Sequence, residues 1–307
     1  MTPAERASAV AFSYKNCELS AIVPSDAMVE AANGYQRGTL GLSDFVRRPE
    51  NRAHRRKRNE SRPQATRPYN DDGNPLTKRT DPSIDEDSVG NRTEKHYESR
   101  LRNDRIFARS VRLIDYGWPA RGGLAELKII HRGLFVGAMP GAGKLRNDTC
   151  TKPGEDSASG ARQSKPAENH RIHQAPQQSS PYFPASLIET GAANIFSQLD
   201  ERDYFSGLDR AGFIRALASI YDELNALHPF AYGNGMVLRM FISELTHAVG
   251  WDLNWGTVTL ENYRNATNLA LLEHDISGLE RMFASIIRLA NPTRIFLISG
   301  WDQGPAH

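Results

Sequence analysis

Hydrophobic residues recur at helical spacing through most of the chain after residue 93. Apolar positions three or four residues apart fall on one face of a helix and predict that this face is buried. The pattern predicts helices over residues 97–113, 124–135, 188–199, 213–227, 237–249, 260–271 and 279–289. Alternation typical of strands is almost absent, so the sequence predicts an all-α domain at 93–291.

Local signals place several helix ends. Residues 206–209 are expected to cap the helix that begins after them, and Gly250 to end the helix before it. Pro229 is expected to stop the helix that delivers His228, because proline has no backbone N–H to continue it.

Three segments lack this periodicity. Residues 1–92 combine a basic stretch at 47–67 with an acidic, proline-rich stretch at 71–87, and the insert at 147–180 is almost devoid of apolar residues. Such compositions bury too little apolar surface to offset chain entropy, so residues 1–92 and 147–180 are expected to be disordered. Residues 292–307 are expected to form a peripheral tail. The basic stretch is interpreted as a solvated linker, with a patch for nucleic acid, membrane surface or targeting as the alternative.

Overall composition narrows the function classes. The 307 residues carry a net charge of +2, which argues against a general nucleic-acid-binding protein. The two cysteines, Cys17 and Cys150, have no metal-ligand spacing, so neither a metal site nor a disulfide framework is predicted. There is no apolar run of membrane-spanning length and no signal-peptide pattern, so a cytoplasmic location without a membrane span is expected.

The stretch at 228–239, HPFAYGNGMVLR, carries the most chemistry. His228 is a candidate base at the end of one predicted helix, and Gly233 and Gly235 allow a tight turn into the next. Exposed N–H groups at a helix start favour anions, and Arg239 lies one turn inside that helix. A base, an anion-binding turn and a cation in twelve residues suit phosphoryl or nucleotidyl transfer.

This stretch resembles the central motif of Fic-domain proteins. Six positions match in register: His228, Phe230, Gly233, Asn234, Gly235 and Arg239. Upstream, IHRGLF at 130–135, PGAGKLR at 140–146 and PYFPASLI at 181–188 are similar to further family segments, the last of which ends the flap hairpin. The resemblance implies a Fic-type helical bundle with a short flap hairpin, which would follow the largely disordered N-terminal region that the composition predicts.

The resemblance also implies an activity. Fic proteins usually transfer AMP from ATP to a hydroxyl of a target protein, so a Ser, Thr or Tyr side chain of a protein substrate is the expected acceptor. His228 would be the general base, Gly233, Asn234 and Gly235 would hold the α-phosphate, and Arg239 would bind the distal phosphates. An antitoxin-type inhibitor as a partner and delivery to another cell as an effector are further expectations from the family.

Two departures from the motif affect this expectation. Tyr232 stands where the family carries the acid that holds Mg²⁺, and Met236 stands where it carries its first arginine. A neutral phenol is a poor Mg²⁺ ligand, which argues against the family's metal. Three alternatives stay open: a weakened adenylyltransferase, a transferase with another nucleotide donor, and a degenerate domain that acts as a protein-interaction module.

Overall fold

The structure is a computed structural model that describes residues 2–60, 86–147 and 180–290. The described residues form ten α-helices and a two-stranded antiparallel sheet. The helices are α1 Pro3–Glu18, α2 Asp26–Arg37, α3 Leu42–Glu60, α4 Glu86–Tyr116, α5 Gly123–Phe135, α6 Ile188–Glu201, α7 Arg210–Leu227, α8 Asn234–Ala248, α9 Leu260–Glu273 and α10 Ser277–Ile286. The strands are β1 Trp251–Leu253 and β2 Ile287–Leu289, and short 3-10 helices span Ala185–Leu187, Asp203–Phe205 and Trp255–Thr257.

The predicted all-α architecture is confirmed, and local chemistry explains where its helices begin. The Asp209 carboxylate accepts the Gly212 N–H at 2.7 Å and caps α7, as the residues at 206–209 predicted. The Thr259 hydroxyl caps α9 in the same way by accepting the Asn262 N–H at 3.1 Å. Gly250 lies just past α8 with φ of +89°, a backbone conformation that favours glycine.

The last predicted helix ends earlier than its periodicity suggests. Helix α10 stops at Ile286, and the next three residues pair with β1 in the register Leu253–Ile287, Asp252–Arg288 and Trp251–Leu289. Apolar residues in so short a stretch satisfy helical and extended patterns equally well, so only the tertiary pairing distinguishes them.

Parts of the predicted organisation lie outside the described residues. These are most of the insert at 147–180, the tail at 292–307 and the part of the N-terminal region at 61–85. The predicted flap hairpin falls largely within that insert. Its described end, residues 180–187, consists of bends and the 3-10 helix Ala185–Leu187.

The N-terminal region differs from the expectation of disorder. Residues 3–60 form α1, α2 and α3, and the first and third of these helices pack on α4. Helix α1 begins with a capping box, in which the Thr2 hydroxyl accepts the Glu5 N–H at 3.3 Å and the Glu5 carboxylate accepts the Thr2 N–H at 2.6 Å. The signal T-x-x-E was therefore present in the sequence.

Aromatic packing shows why these helices fold despite their polar composition. The Tyr14 ring lies 4.4 Å and the Phe45 ring 6.1 Å from Phe107 of α4, measured between centroids, and Tyr35 stacks on Phe45 at 5.5 Å. The thiol of Cys17, also on α1, is fully buried. Small side chains such as Ala9 and Ala32 are buried beside these rings, and alanine gives only a weak hydrophobic signal in a sequence.

A buried polar network fixes the start of α2 against α4. The Asp104 carboxylate accepts the backbone N–H and the hydroxyl of Ser25, both at 2.7 Å, and forms an ion pair with Arg52 at 3.2 Å. Arg52, from the basic stretch at 47–67, is thus a structural residue. Arg47 and Arg48 are exposed, and the side chains of residues 54–67 lie outside the described part. None of the described helices is long and apolar enough to cross a membrane.

A carboxyl pair lies between α5 and α8. Glu126 is buried and accepts the indole N–H of Trp118 at 3.1 Å and the Gly122 N–H at 3.0 Å. Burial, together with charge repulsion and hydrogen bonding from the neighbouring Glu126, raises the pKa of Glu244 to about 9. Glu244 therefore keeps its proton at neutral pH in the folded protein.

This pair predicts that stability falls as pH rises. Below about pH 4.5 Glu244 is neutral in both states, whereas between there and about pH 9 only the unfolded chain ionises, which favours unfolding. Glu244→Gln keeps the shape without the acid and is expected to raise the free energy of unfolding by about 1–2 kcal/mol at pH 8, but not at pH 4.5. Urea unfolding at both pH values checks this, with the exposed Glu273→Gln as control. An equal gain at both pH values would contradict the assignment.

Candidate active site

His228 lies at the junction between α7 and the motif turn. One face of α7 is buried, with Phe213, Leu217 and Tyr221 fully inaccessible, so the helix carries His228 into the interior at its end. His228 is only 4% exposed and adopts left-handed backbone angles, φ 44° and ψ 62°, as the C-cap. The backbone therefore turns sharply at this residue, as the following Pro229 predicted.

Two residues contact His228, one at its imidazole ring and one at its backbone carbonyl. The Tyr182 ring lies against the His228 ring, with centroids 3.8 Å apart and planes 31° apart. The guanidinium of Arg146, 4% exposed, donates from Nε to the His228 carbonyl at 2.6 Å. In the described arrangement, Tyr182 covers the face of the imidazole.

The side chain of Asn234 closes the motif turn. Its Oδ1 accepts the Phe230 N–H at 2.9 Å, and its Nδ2 donates to the Phe230 carbonyl at 2.8 Å. Phe230 is fully buried and stacks on the His131 ring at 4.0 Å. The carboxamide that the family resemblance assigns to the α-phosphate thus also makes two hydrogen bonds inside the turn.

The two predicted glycines have different constraints. Gly233 caps α8 with φ of 73°, and a Cβ there would lie 2.3 Å from the Phe135 ring. At Gly235 a Cβ would lie 3.0 Å from the Tyr263 hydroxyl and 3.1 Å from Nη1 of Arg239. Gly233 therefore permits both the turn and the approach of Phe135, whereas Gly235 makes room beside Arg239.

Arg239 is buried beneath the N-terminal helix. It is 1% exposed, and it donates from Nε to Asn16 Oδ1 at 2.7 Å and from Nη2 to the Asn16 carbonyl at 2.9 Å. Nη2 also donates to the Ser20 hydroxyl, and the Tyr263 ring lies 4.7 Å from the guanidinium carbon. Helix α1 therefore covers the cation that the motif assigns to distal phosphates.

One nitrogen of Arg239 retains a free donor. Nη1 is buried and has no hydrogen-bond partner among the described residues, and it faces Gly235 in the first turn of α8. A buried donor without a partner costs about 1–3 kcal/mol. Next to a helix N-terminus, where N–H groups also favour negative charge, such a donor fits an anion.

The hydrogen bonds between Arg239 and Asn16 of α1 predict that Asn16→Ala lowers the free energy of unfolding. The change removes the acceptor of Nε and the donor to the Met236 carbonyl, so a buried cation loses a partner. We expect a loss of about 1–3 kcal/mol in the free energy of unfolding and faster amide exchange in α1. The exposed Asn51→Ala on α3 is the control. Equal unfolding midpoints for the two variants would contradict the expected loss.

Tyr232 is packed rather than poised to bind a metal. Its ring lies 5.1 Å from Phe135 and 5.0 Å from His131, and its hydroxyl donates to the Pro140 carbonyl. Burial raises the pKa of Tyr232 to about 12, which keeps the phenol neutral. Within the part of the chain that the structure describes, no three His, Cys, Asp or Glu residues cluster as metal ligands. Met236, at the other departure, is fully buried.

His131 joins the motif turn to the loop after α5. Its Nδ1 accepts the Gly143 N–H at 2.7 Å, so the proton lies on Nε2, which donates to the Tyr232 carbonyl at 3.0 Å. Burial lowers the pKa of His131 to about 4, so this neutral tautomer persists at neutral pH. His131 is 1% exposed and therefore belongs to the core. Its position in IHRGLF, one of the segments similar to Fic proteins, was the available signal for a larger role.

The structure thus brings His228, Gly233, Asn234 and Gly235 together in one turn. Arg239 lies beside that turn but is hydrogen-bonded to Asn16 of α1, and the Tyr232 hydroxyl is hydrogen-bonded to the Pro140 carbonyl. Sequence reasoning missed Asn16 and Tyr182, because only the folded chain shows that they contact Arg239 and His228. Arg146, the last residue of the segment PGAGKLR, is buried and contacts the His228 carbonyl.

Comparison with known proteins gives a family match for the part of the chain that contains the motif turn. Residues 124–246 match the Fic/DOC family model. The probable protein adenylyltransferase Fic of Escherichia coli K12 is 27% identical over 169 residues, which cover 55% of this chain and 72% of that protein. The protein adenylyltransferase VbhT of Bartonella schoenbuchensis is 38% identical over 80 residues, which cover 26% and 17% of the two chains.

A solved structure shows the same fold. The VirB-translocated effector protein BepC of Bartonella tribocorum, crystallised with AMPPNP, superposes with a TM-score of 0.50 at 22% identity and covers 64% of this chain and 89% of that one. The family match includes α5, α6, α7 and most of α8, which are the helices that surround the motif turn. Residues 124–246 therefore form a domain of the Fic/DOC family, as the motif at 228–239 predicted.

Proposed function

We propose that this protein transfers AMP from ATP to a hydroxyl side chain of a target protein. The observation that carries this proposal is that His228 at the end of α7 and an anion-binding position at the start of α8 are joined by one short turn. That position combines the first turn of α8 with the free Nη1 of buried Arg239 beside Gly235. Relatives named as protein adenylyltransferases support the same class of reaction.

Each motif residue has a separate role in the proposed reaction. His228 takes the proton of the acceptor Ser, Thr or Tyr as its oxygen attacks the α-phosphorus. The bond from that phosphorus to the bridging oxygen breaks, and pyrophosphate leaves. The N–H groups of Gly233, Asn234 and Gly235 contact the α-phosphate, and Arg239 contacts the more distal phosphates.

The described residues do not fit the Mg²⁺ of related enzymes. The position of the family acid holds Tyr232, whose neutral hydroxyl already donates to the Pro140 carbonyl. A hydroxyl with a raised pKa and a carbonyl partner is a poor ligand for a hard divalent cation. No step of the proposed reaction therefore uses the metal.

A protein-interaction module without catalysis is the second candidate function. Two contacts favour it: Tyr182 covers the face of His228, and α1 holds two of the three nitrogens of the Arg239 guanidinium. In this case the motif helix serves as structure, and an antitoxin-type protein or another partner binds the domain surface. The two candidates differ in whether any donor is turned over.

Donor titration of the full chain distinguishes them. Labelled ATP, UTP and CDP-choline are each incubated with the protein, with and without Mg²⁺, and incorporation is measured by mass spectrometry on the chain itself and on added lysate proteins. Label from ATP that persists without Mg²⁺ and disappears in His228→Asn supports the proposal. Label from another donor alone would replace ATP as the substrate. No label from any donor, in a protein shown to be folded, would favour the interaction module.

A further inference from the structure

A buried arginine gathers the backbone around the proposed base. Arg146 donates from Nε to the His228 carbonyl at 2.6 Å and from Nη2 to the Leu227 carbonyl at 3.4 Å. Its backbone N–H donates to the Pro229 carbonyl at 3.0 Å. Three consecutive carbonyls at the end of α7 thus bind one residue from the loop after α5.

These contacts stabilise a backbone conformation that is otherwise unfavourable. His228 has φ of 44°, and a non-glycine residue in the left-handed region costs roughly 1–2 kcal/mol. The last carbonyls of a helix also carry partial negative charge, which a cation at this position offsets. The guanidinium therefore favours the backbone angles that set the direction of the His228 side chain.

The same guanidinium also holds the segment that covers the imidazole. Nη2 of Arg146 donates to the Phe183 carbonyl, and the Phe183 N–H donates to the Ala226 carbonyl at 2.9 Å. Phe183 is thereby held through both its backbone N–H and its backbone carbonyl. The ring of the preceding residue, Tyr182, packs against the His228 ring with a centroid distance of 3.8 Å. Arg146 therefore binds both the backbone of His228 and the segment that places the Tyr182 ring against the imidazole.

We infer that Arg146 is a positioning residue for His228: it fixes the backbone angles of the base and the Tyr182 ring that packs on the imidazole. This inference rests on the proposed function only in taking His228 as the base. It differs from a purely stabilising role because it predicts a change in the chemical behaviour of His228 in a chain that remains folded.

The test compares Arg146→Lys and Arg146→Ala with Arg215→Ala, an exposed arginine on the helix that carries His228. Lysine keeps the charge but lacks the planar fork that reaches several carbonyls. The first measurement needs no donor: carbethoxylation of His228 by diethyl pyrocarbonate, mapped by mass spectrometry. Both Arg146 variants are expected to react faster than the parent, because Tyr182 no longer covers the imidazole, whereas Arg215→Ala reacts at the parental rate.

The second measurement uses turnover with the donor identified by titration. We expect kcat to fall about 10-fold in Arg146→Lys and about 100-fold in Arg146→Ala, since misplaced catalytic groups lose rates of this order. The KM for the donor should change by no more than about two-fold. Millimolar guanidinium, which refills the site, is expected to restore part of the kcat of Arg146→Ala but not that of the lysine variant.

The outcomes separate this inference from the proposed function. Parental carbethoxylation and kcat in folded Arg146→Ala would overturn the positioning role. A lower unfolding midpoint with unchanged His228 reactivity would assign Arg146 to stability alone, which also overturns it. If the parent turns over no donor, the proposed function fails, yet His228 reactivity still decides the role of Arg146. If Arg146→Ala does not fold, the lysine variant carries both measurements.

Discussion

His228→Asn is expected to lower the rate of nucleotidyl transfer by about 10²–10⁴-fold, the contribution typical of a general base. Asparagine removes the imidazole but tolerates the left-handed backbone that His228 adopts at the end of α7. The unfolding midpoint should therefore change little. Transfer is measured with the donor identified by titration, and folding by circular dichroism on the same samples.

The chain contains a matched control for this substitution. His274 is also a left-handed C-cap, with φ of 58° at the end of α9, but it is exposed and belongs to no part of the proposed site. His274→Asn should leave transfer unchanged. A His228→Asn variant that transfers at the parental rate would remove His228 from the mechanism, whatever the control does.

Gly233→Ala is expected to destabilise the fold by about 3 kcal/mol or more and to abolish donor binding at the motif turn. Two effects add at this position. The left-handed backbone, with φ of 73°, disfavours any Cβ, and the added Cβ would lie 2.3 Å from the Phe135 ring. Phe135 is itself fully buried, so its ring has little room to withdraw.

Gly207→Ala separates these two effects. Gly207 has φ of 74°, but a Cβ there meets nothing within 4 Å, so its cost is the backbone term of about 1 kcal/mol alone. The difference between the two variants in urea unfolding measures the clash with Phe135. Phe135→Leu should recover part of the loss in a Gly233→Ala background. Equal losses at positions 207 and 233 would contradict the close approach of the ring.

The elements that sequence reasoning placed well depend on local chemistry. The spacing of Phe213, Leu217 and Leu224 predicts α7, and Asp209 predicts its start, because a helix face and an N-cap need only neighbouring residues. The turn at 228–235 was predicted for the same reason, since proline and glycine restrict or release the backbone at their own positions. Both features are independent of the distant parts of the chain.

The contacts that sequence reasoning missed join residues far apart in the chain. Asn16 and Arg239 are 223 positions apart, and Arg146 and His228 are 82 apart. Each is a buried cation bound to neutral acceptors, which have no charge pattern to search for in a sequence. Disorder was predicted for residues 1–92 because of the basic stretch at 47–67 and the acidic, proline-rich stretch at 71–87, although Tyr14 and Phe45 have an aromatic partner in α4.

Burial of Cys17 on α1 provides a natural reporter for the position of that helix. Its thiol is fully buried, and burial raises the pKa of Cys17 to about 12, so alkylating reagents are excluded and the reactive thiolate is scarce while α1 is seated. The adjacent residue is Asn16, which binds Arg239, so the movement that uncovers Arg239 must also expose the sulfur. The alkylation rate at Cys17 therefore measures how often Arg239 is uncovered, in the unmodified protein and without any nucleotide.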